Sequence, residues 1–247
     1  PLSIHDALPI LSLAGDSFFY TNVLESTGED ERQSYFEVAC CPANVARLMA
    51  QLPGLIYAQQ GNRVLVNLFV GSKTRIELPN GSVELEQRTE YPWDGKVRLE
   101  IALVEGTDFE LSVRIPGWAR EQPVPSDLYR FLEEDDESIG LRLNGRDFEG
   151  LEVRGRQFVI SRRWSSRDVL EIDFPMPVRR VVAHPSVEDA KGKVAIQRGP
   201  LVYAVEDTDH DGSVEGLMLI PEPDLRSEFR RGLLGGVAVV RGWVTRG

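Results

Sequence analysis

The chain has 247 residues, 42% of them hydrophobic and 27% charged, which is the balance of a globular protein of one large or two to three small domains. Its 39 acidic residues outnumber 28 basic ones, and the net charge of −11 argues against a binder of nucleic-acid phosphates. No apolar run approaches the roughly 18 residues of a membrane span, and two cysteines are too few for a disulfide-built scaffold. Those two are neighbours, Cys40 and Cys41. An adjacent pair closes a disulfide only with strain, so both read as reduced thiols, which points to the cytoplasm. Pro1 stands where an initiator Met is expected and no signal-peptide core follows it, so the chain reads as processed or as a piece of something longer.

Residues 1 to 55 read as loops and helix. Ser3 to Leu13 is mostly apolar, Asp16 to Leu24 holds Phe18-Phe19-Tyr20, and Ser26 to Ser34 is polar and acidic. Val45, Leu48, Met49 and Leu52 then fall at i, i+3, i+4 and i+7, the apolar stripe of a helix that Pro53-Gly54 ends. Pro42 suits the first turn of that helix, which places the cysteines just before its N-terminus.

After Leu55 the hydrophobic period becomes two. Strands are expected at Val64–Val70, Thr74–Leu78, Ser82–Thr89, Lys96–Val104 and Phe109–Ile115, punctuated by glycines, prolines and Asn80. Ser126–Glu137 is expected to be a short helix capped by Ser126. The acidic run from Glu133 to Glu137 within it suggests a solvated excursion. Asn144-Gly145 marks a hairpin turn. Strands resume at Gln157–Arg163, Val169–Phe174 and Val178–Ala183. A last module holds Lys193–Arg198, Leu201–Val205, Leu217–Ile220 and Val237–Val240. Many short strands at this spacing suggest an antiparallel sandwich.

Three groups of residues could carry chemistry. A thiolate at a helix start is favoured by the helix dipole and by free N–H groups, which makes Cys40-Cys41 a candidate for nucleophilic or metal chemistry. The plain alternative is a small buried hydrophobe. Zinc suits thiolates but wants about four ligands, and the chain offers no Cys-x-x-Cys. His5, His184 and His210 are scattered and read as surface or loop residues. Glu25 and Glu37 flank the cysteines, although 39 acidic residues make such neighbours common. Tyr20, Tyr35, Phe36, Trp93 and Trp118 could stack on sugars, with Trp118 better explained as a plug at the end of a sandwich core.

Taken together, these stretches resemble glycoside hydrolase family 127, the β-L-arabinofuranosidases. Cys40-Cys41-Pro42-Ala43-Asn44-Val45-Ala46-Arg47 is similar to the family's Cys-Cys-Pro-x-Asn-x-x-Arg motif. Phe18-Phe19-Tyr20-Thr21-Asn22-Val23-Leu24-Glu25 resembles its Phe-Tyr-x-Asn-Pro-Leu-Glu segment, with Val23 where Pro is common. Tyr91-Pro92-Trp93-Asp94-Gly95, Arg114-Ile115-Pro116-Gly117-Trp118 and Gln197-Arg198-Gly199-Pro200-Leu201-Val202-Tyr203 resemble its sandwich signatures. The resemblance implies an (α/α)6 catalytic barrel followed by β-sandwich domains. It implies a zinc ion held by a Glu-x-Cys pair and the two vicinal cysteines, with Cys40 the nucleophile of a retaining mechanism and a separate Glu the acid/base. Cys40 and Cys41 would then be metal ligands, and Tyr20 a substrate-binding residue. The chain contains no Glu-x-Cys, so it looks like the C-terminal part of such an enzyme. Arg120 to Gly140 looks like an insertion relative to the family's compact hairpin.

The expected fold is mainly β: antiparallel sandwich domains preceded by a short helical remnant of the barrel. Residues 1–55 would be the barrel's end, 56–180 a middle sandwich and 181–247 a C-terminal β domain. The resemblance implies an oligosaccharide or glycoconjugate containing L-arabinofuranose as partner, without nucleic acid or membrane, and homodimer formation is a further expectation. The chain by itself would be inactive, lacking the acid/base and two zinc ligands. A non-catalytic carbohydrate-binding module is the alternative, and it needs Trp93 and Trp118 exposed. A thiol redox switch at Cys40-Cys41 is a weaker third reading.

Overall fold

The computed structural model describes residues 12, 14–20, 29–38, 40–103, 108–134, 137–148, 152–206, 213–221 and 225–246. Among them two helices come first, α1 (Cys40–Gln51) and α2 (Pro53–Ile56). Strands follow in chain order: β1 (Tyr57–Gln60), β2 (Arg63–Val66), β3 (Ser72–Leu78), β4 (Gly81–Thr89), β5 (Lys96–Leu103), β6 (Asp108–Arg114), β7 (Tyr129–Phe131), β8 (Gly140–Leu143), β9 (Arg146–Asp147), β10 (Glu152–Arg154), β11 (Gln157–Arg163), β12 (Asp168–Asp173), β13 (Val178–Ala183), β14 (Ala195–Arg198), β15 (Leu201–Tyr203), β16 (Leu217–Leu219), β17 (Arg226–Arg230), β18 (Val237–Arg241) and β19 (Val244–Arg246). No described helix is long and apolar enough to cross a membrane.

Two sheets build the sandwich, one ordered β1-β2-β6-β11-β10 and the other β3-β4-β5-β12-β8-β9. One hydrophobic cluster joins their inner faces: Val64, Leu111 and Ile160 from the first meet Leu85, Leu99 and Leu170 from the second. Alternation sets the faces. In β5, Val97, Leu99 and Ile101 are buried, while Arg98 between them reaches outward to pair with Glu171 of β12 at 3.0 Å. Pairing is antiparallel except between β2 and β6, which run parallel. That exception follows from connectivity, because β3, β4 and β5 intervene in the other sheet and carry the chain back to the same end. The Asn144-Gly145 turn joins β8 to β9 with φ of 54° and 75°, the left-handed pair that a tight hairpin requires.

A third sheet, β15-β14-β13-β7, adjoins the sandwich. Here the helix expected over Ser126–Glu137 is not formed. Tyr129–Phe131 pairs with β13 instead, and Ser126 Oγ accepts the Leu128 N–H at 3.3 Å in a local turn. The ladder on the edge of β13 and the burial of Phe131 outweigh helical propensity in this segment. Of the acidic run, Glu134 and Glu137 are exposed as expected, whereas Glu133 is partly buried. Its carboxylate pairs with the Arg180 guanidinium and accepts the Arg180 backbone N–H. Asp135 and Asp136 of the same run lie outside the described residues. β13 spans residue 180, so the third sheet takes strands from both sides of the division drawn there. Of the strands expected in a last module, those at Lys193–Arg198 and Leu201–Val205 join this third sheet as β14 and β15, and the described residues after them form two two-stranded ladders, β16 with β19 and β17 with β18.

Candidate active site

Cys40 and Cys41 are the first two residues of α1 rather than the two before it. The helix can start this early because Pro42 then stands in the first turn, where its missing N–H breaks no bond. α1 ends at Gln51, just before Pro53-Gly54 as expected, and Pro53–Ile56 forms the separate single turn of α2. Consecutive positions at the helix start set the thiols side by side. Both are free, and their Sγ atoms lie 3.8 Å apart.

Tyr20 reaches the pair from outside the helix. Phe18 and Gln33 exchange backbone hydrogen bonds of 2.9 Å, which ties its segment to the stretch before α1. The Phe36 ring packs edge-on against Tyr20 at 5.4 Å and tilted against Phe18 at 5.5 Å. So held, the Tyr20 hydroxyl lies 2.8 Å from Cys40 Sγ. The residue expected to touch sugar therefore contacts the thiol, an association across twenty residues that no sequence period signals. Within α1, Arg47 Nη1 donates to Asn44 Oδ1 at 2.6 Å, an i to i+3 pair that fixes the motif's two polar side chains to each other.

The three groups titrate together. The Tyr20 hydrogen bond, followed by that from Cys41, holds the Cys40 thiol below its ordinary value. Cys41 is pushed up, chiefly because its bond to Cys40 favours its protonated form, and Tyr20 is pushed up for the same reason. The arrangement thus has one sulfur that ionises first and two neighbours that donate to it.

The donor set fits zinc as far as it goes. Two sulfurs bound tetrahedrally at about 2.3 Å lie about 3.8 Å apart, which is the separation here. Among the described residues no group of three His, Cys, Asp or Glu side chains is placed to hold a metal. Glu37 is exposed, His184 is exposed with Nδ1 accepting the Ser186 N–H, and Glu25, His5 and His210 lie outside the described residues.

The other aromatic candidates are dispersed. Tyr35 is exposed. Trp118 is only 9% exposed and packs against Phe174 at 5.9 Å between ring centroids, as a core plug should. Trp93 is half-buried. With Trp118 buried, the two tryptophans make no exposed sugar-stacking platform.

Comparison with known proteins finds three family models along the chain. Residues 5–54 match the β-L-arabinofuranosidase GH127 catalytic domain, residues 63–176 the GH127 middle domain, and residues 178–231 the glycoside hydrolase family 127 C-terminal domain. A non-reducing end β-L-arabinofuranosidase of Bifidobacterium longum subsp. longum is 32% identical over 251 residues, a match covering 93% of this chain and 35% of that protein. Among solved structures, a GH127 β-arabinofuranosidase superposes with a TM-score of 0.91 at 36% identity, covering 97% of this chain and 37% of its own. A GH127 β-L-arabinofuranosidase from Geobacillus stearothermophilus T6 gives a TM-score of 0.83 at 35% identity, with the same coverage of 97% and 37%. The chain spans little more than a third of the length of these relatives.

Proposed function

The chain belongs to glycoside hydrolase family 127, as its C-terminal portion, and from that premise we propose that it is part of a retaining β-L-arabinofuranosidase with Cys40 as nucleophile. The observation that carries this reading is the pairing of Cys40 Sγ with the Tyr20 hydroxyl at 2.8 Å, beside a second thiol at the start of α1. A thiol held below its ordinary pKa, at a helix N-terminus and exposed to solvent, is suited to attack on an anomeric carbon.

In the proposed reaction Cys40 Sγ forms a bond to the anomeric carbon as the glycosidic C–O bond breaks. A carboxylic acid from outside the described residues delivers the proton to the leaving oxygen. Water, deprotonated by the resulting carboxylate, then attacks the same carbon, and the C–S bond breaks with its electron pair returning to Cys40. Tyr20 has a part in both halves. Its hydroxyl stabilises the thiolate before attack and again as it leaves, and holds the sulfur in one direction in between. Cys40 and Cys41 are the residues that would hold a zinc ion, whose contribution when bound is a positive charge that keeps both sulfurs ionised.

The substrate we propose is an oligosaccharide or glycoconjugate bearing a terminal L-arabinofuranose. We further propose that α1 belongs to a larger helical domain. Leu48, on its apolar stripe, is 50% exposed, a position that a covering helix normally shields. The 247-residue chain alone is then expected to show no turnover of an aryl β-L-arabinofuranoside. The decisive measurement uses the longer enzyme, in which Cys40→Ser should abolish turnover. Activity retained by that variant, with the fold intact, removes the nucleophile role.

A further inference from the structure

A cavity of about 520 Å3 opens beside the end of β6, well separated in the sequence from the cysteine pair. Three arginines line it: Arg114 at the end of β6, Arg120 on the short turn Trp118–Arg120, and Arg156 in the turn between β10 and β11. None of its lining residues is acidic, although the chain as a whole carries a net charge of −11. The Arg120 Nε is buried without a hydrogen-bond partner.

The fold itself withholds the counter-charge. Glu121, the residue next to Arg120, has a φ of 59°, which turns the chain, and both its carboxylate oxygens go to Arg179. Arg179 is only 5% exposed and lies over the Phe131 ring at 3.5 Å, so it holds Glu121 firmly on the third sheet's side. The rim is equally fixed. The Gly117 carbonyl accepts the N–H groups of Arg120 at 2.8 Å and Gln122 at 3.0 Å. A Cβ on Gly117 would stand 2.9 Å from the Gln122 carbonyl oxygen, so the loop closes this tightly only around glycine.

Three like charges around one cavity repel one another, and an anion between them is the complement that relieves this. Guanidinium forks match the paired oxygens of a carboxylate or a phosphate in two-point hydrogen bonds. The volume is in the range of small-ligand sites, and Pro123 and Pro125 supply an apolar wall beside the charges. We propose that this cavity binds a sugar residue carrying a carboxylate, that is, a uronate. The choice of a sugar carboxylate among such anions rests on the glycosidase reading, whereas the anion site does not.

Calorimetric titration of the 247-residue chain with methyl glucuronide and with methyl glucoside tests this, because the two ligands differ only in the carboxylate. The uronide should bind and the glucoside should not. Arg120→Gln and Arg156→Gln should each weaken uronide binding by about tenfold or more. Arg156 sits in an exposed turn, so that variant remains informative if Arg120→Gln fails to fold. Equal binding of both sugars, no binding of either, or indifference to both substitutions overturns the site. Inorganic sulfate binding as tightly as the uronide overturns the sugar-acid assignment. Alkylation of Cys40 and Cys41 should leave uronide binding unchanged, which separates failure here from failure of the nucleophile reading.

Discussion

Gly95→Ala should be among the most destabilising conservative substitutions in this chain. A Cβ at Gly95 would lie 1.9 Å from the Phe174 carbonyl oxygen and 2.9 Å from its carbonyl carbon. Reaching ordinary contact at about 3.4 Å needs about 1.5 Å of movement, and the obstacle is backbone that cannot swing aside. Two losses follow. The Phe174 N–H to Gly95 carbonyl bond, already 3.2 Å long, is broken, and Phe174 is pushed within its ring cluster with Phe69 and Trp118, at 5.1 and 5.9 Å. A lost hydrogen bond costs about 1 kcal/mol and overpacking about 1–3 kcal/mol, so the sum is about 2–4 kcal/mol. At about 2–4 °C per kcal/mol for a chain of this size, the melting temperature should fall by roughly 4–16 °C. Urea unfolding followed by tryptophan fluorescence measures the loss directly. Gly54→Ala, in α2 with nothing within 4 Å of the added carbon, is the control and should be neutral or slightly stabilising. If both variants unfold at the wild-type midpoint, the packing at Gly95 is not as described.

The remaining expectations are smaller in scope. Tyr20→Phe removes the bond that most lowers Cys40, so the pH profile of Cys40 alkylation in metal-free protein should move to higher pH, towards that of Cys41; mass spectrometry of iodoacetamide-treated peptides reads this, and an unmoved profile would count against the contact. Glu121→Gln leaves the buried Arg179 with a neutral partner and should cost about 1–3 kcal/mol in urea, a range reduced because Glu121 itself is half exposed. Trp164→Phe, at a side chain 2% exposed, removes the donor to the Phe109 carbonyl at 3.0 Å and leaves a small void, for about 2–3 kcal/mol; a loss below about 0.5 kcal/mol would show that the indole hydrogen bond is unimportant.

The sandwich was legible wherever one face of a strand is buried. Val97, Leu99 and Ile101 alternate with polar residues because the facing sheet, through Val64, Leu111 and Ile160, covers every second side chain of β5. Strands whose reason lies elsewhere left no such trace. β7 is a strand because β13 offers an edge and Phe131 a place beneath Arg179, neither of which is written in Tyr129-Arg130-Phe131. β10 and β19 are exposed throughout, so their composition carries no period at all. The same division holds at the site. Cys40 and Cys41 announce themselves by adjacency and by the helix that follows, whereas the Tyr20 hydrogen bond and the anchoring of Glu121 to Arg179 depend on segments brought together by folding.

This contrast bears on how chemistry and catalysis should separate in the chain. The separation of the two sulfurs is set by consecutive helix positions, and Tyr20 is held through Phe36, Phe18 and Gln33, all before α1. None of those contacts draws on the sandwich. The described residues nevertheless leave Val38 and Leu48 exposed around the site and place no third metal-capable side chain with the thiols. On the reading proposed above, unequal reactivity of Cys40 and Cys41 is a local property that these contacts can express, while turnover draws on an acid that we propose comes from outside the described residues. A chain whose Cys40 alkylates first and which hydrolyses nothing is the state that this geometry leads one to expect.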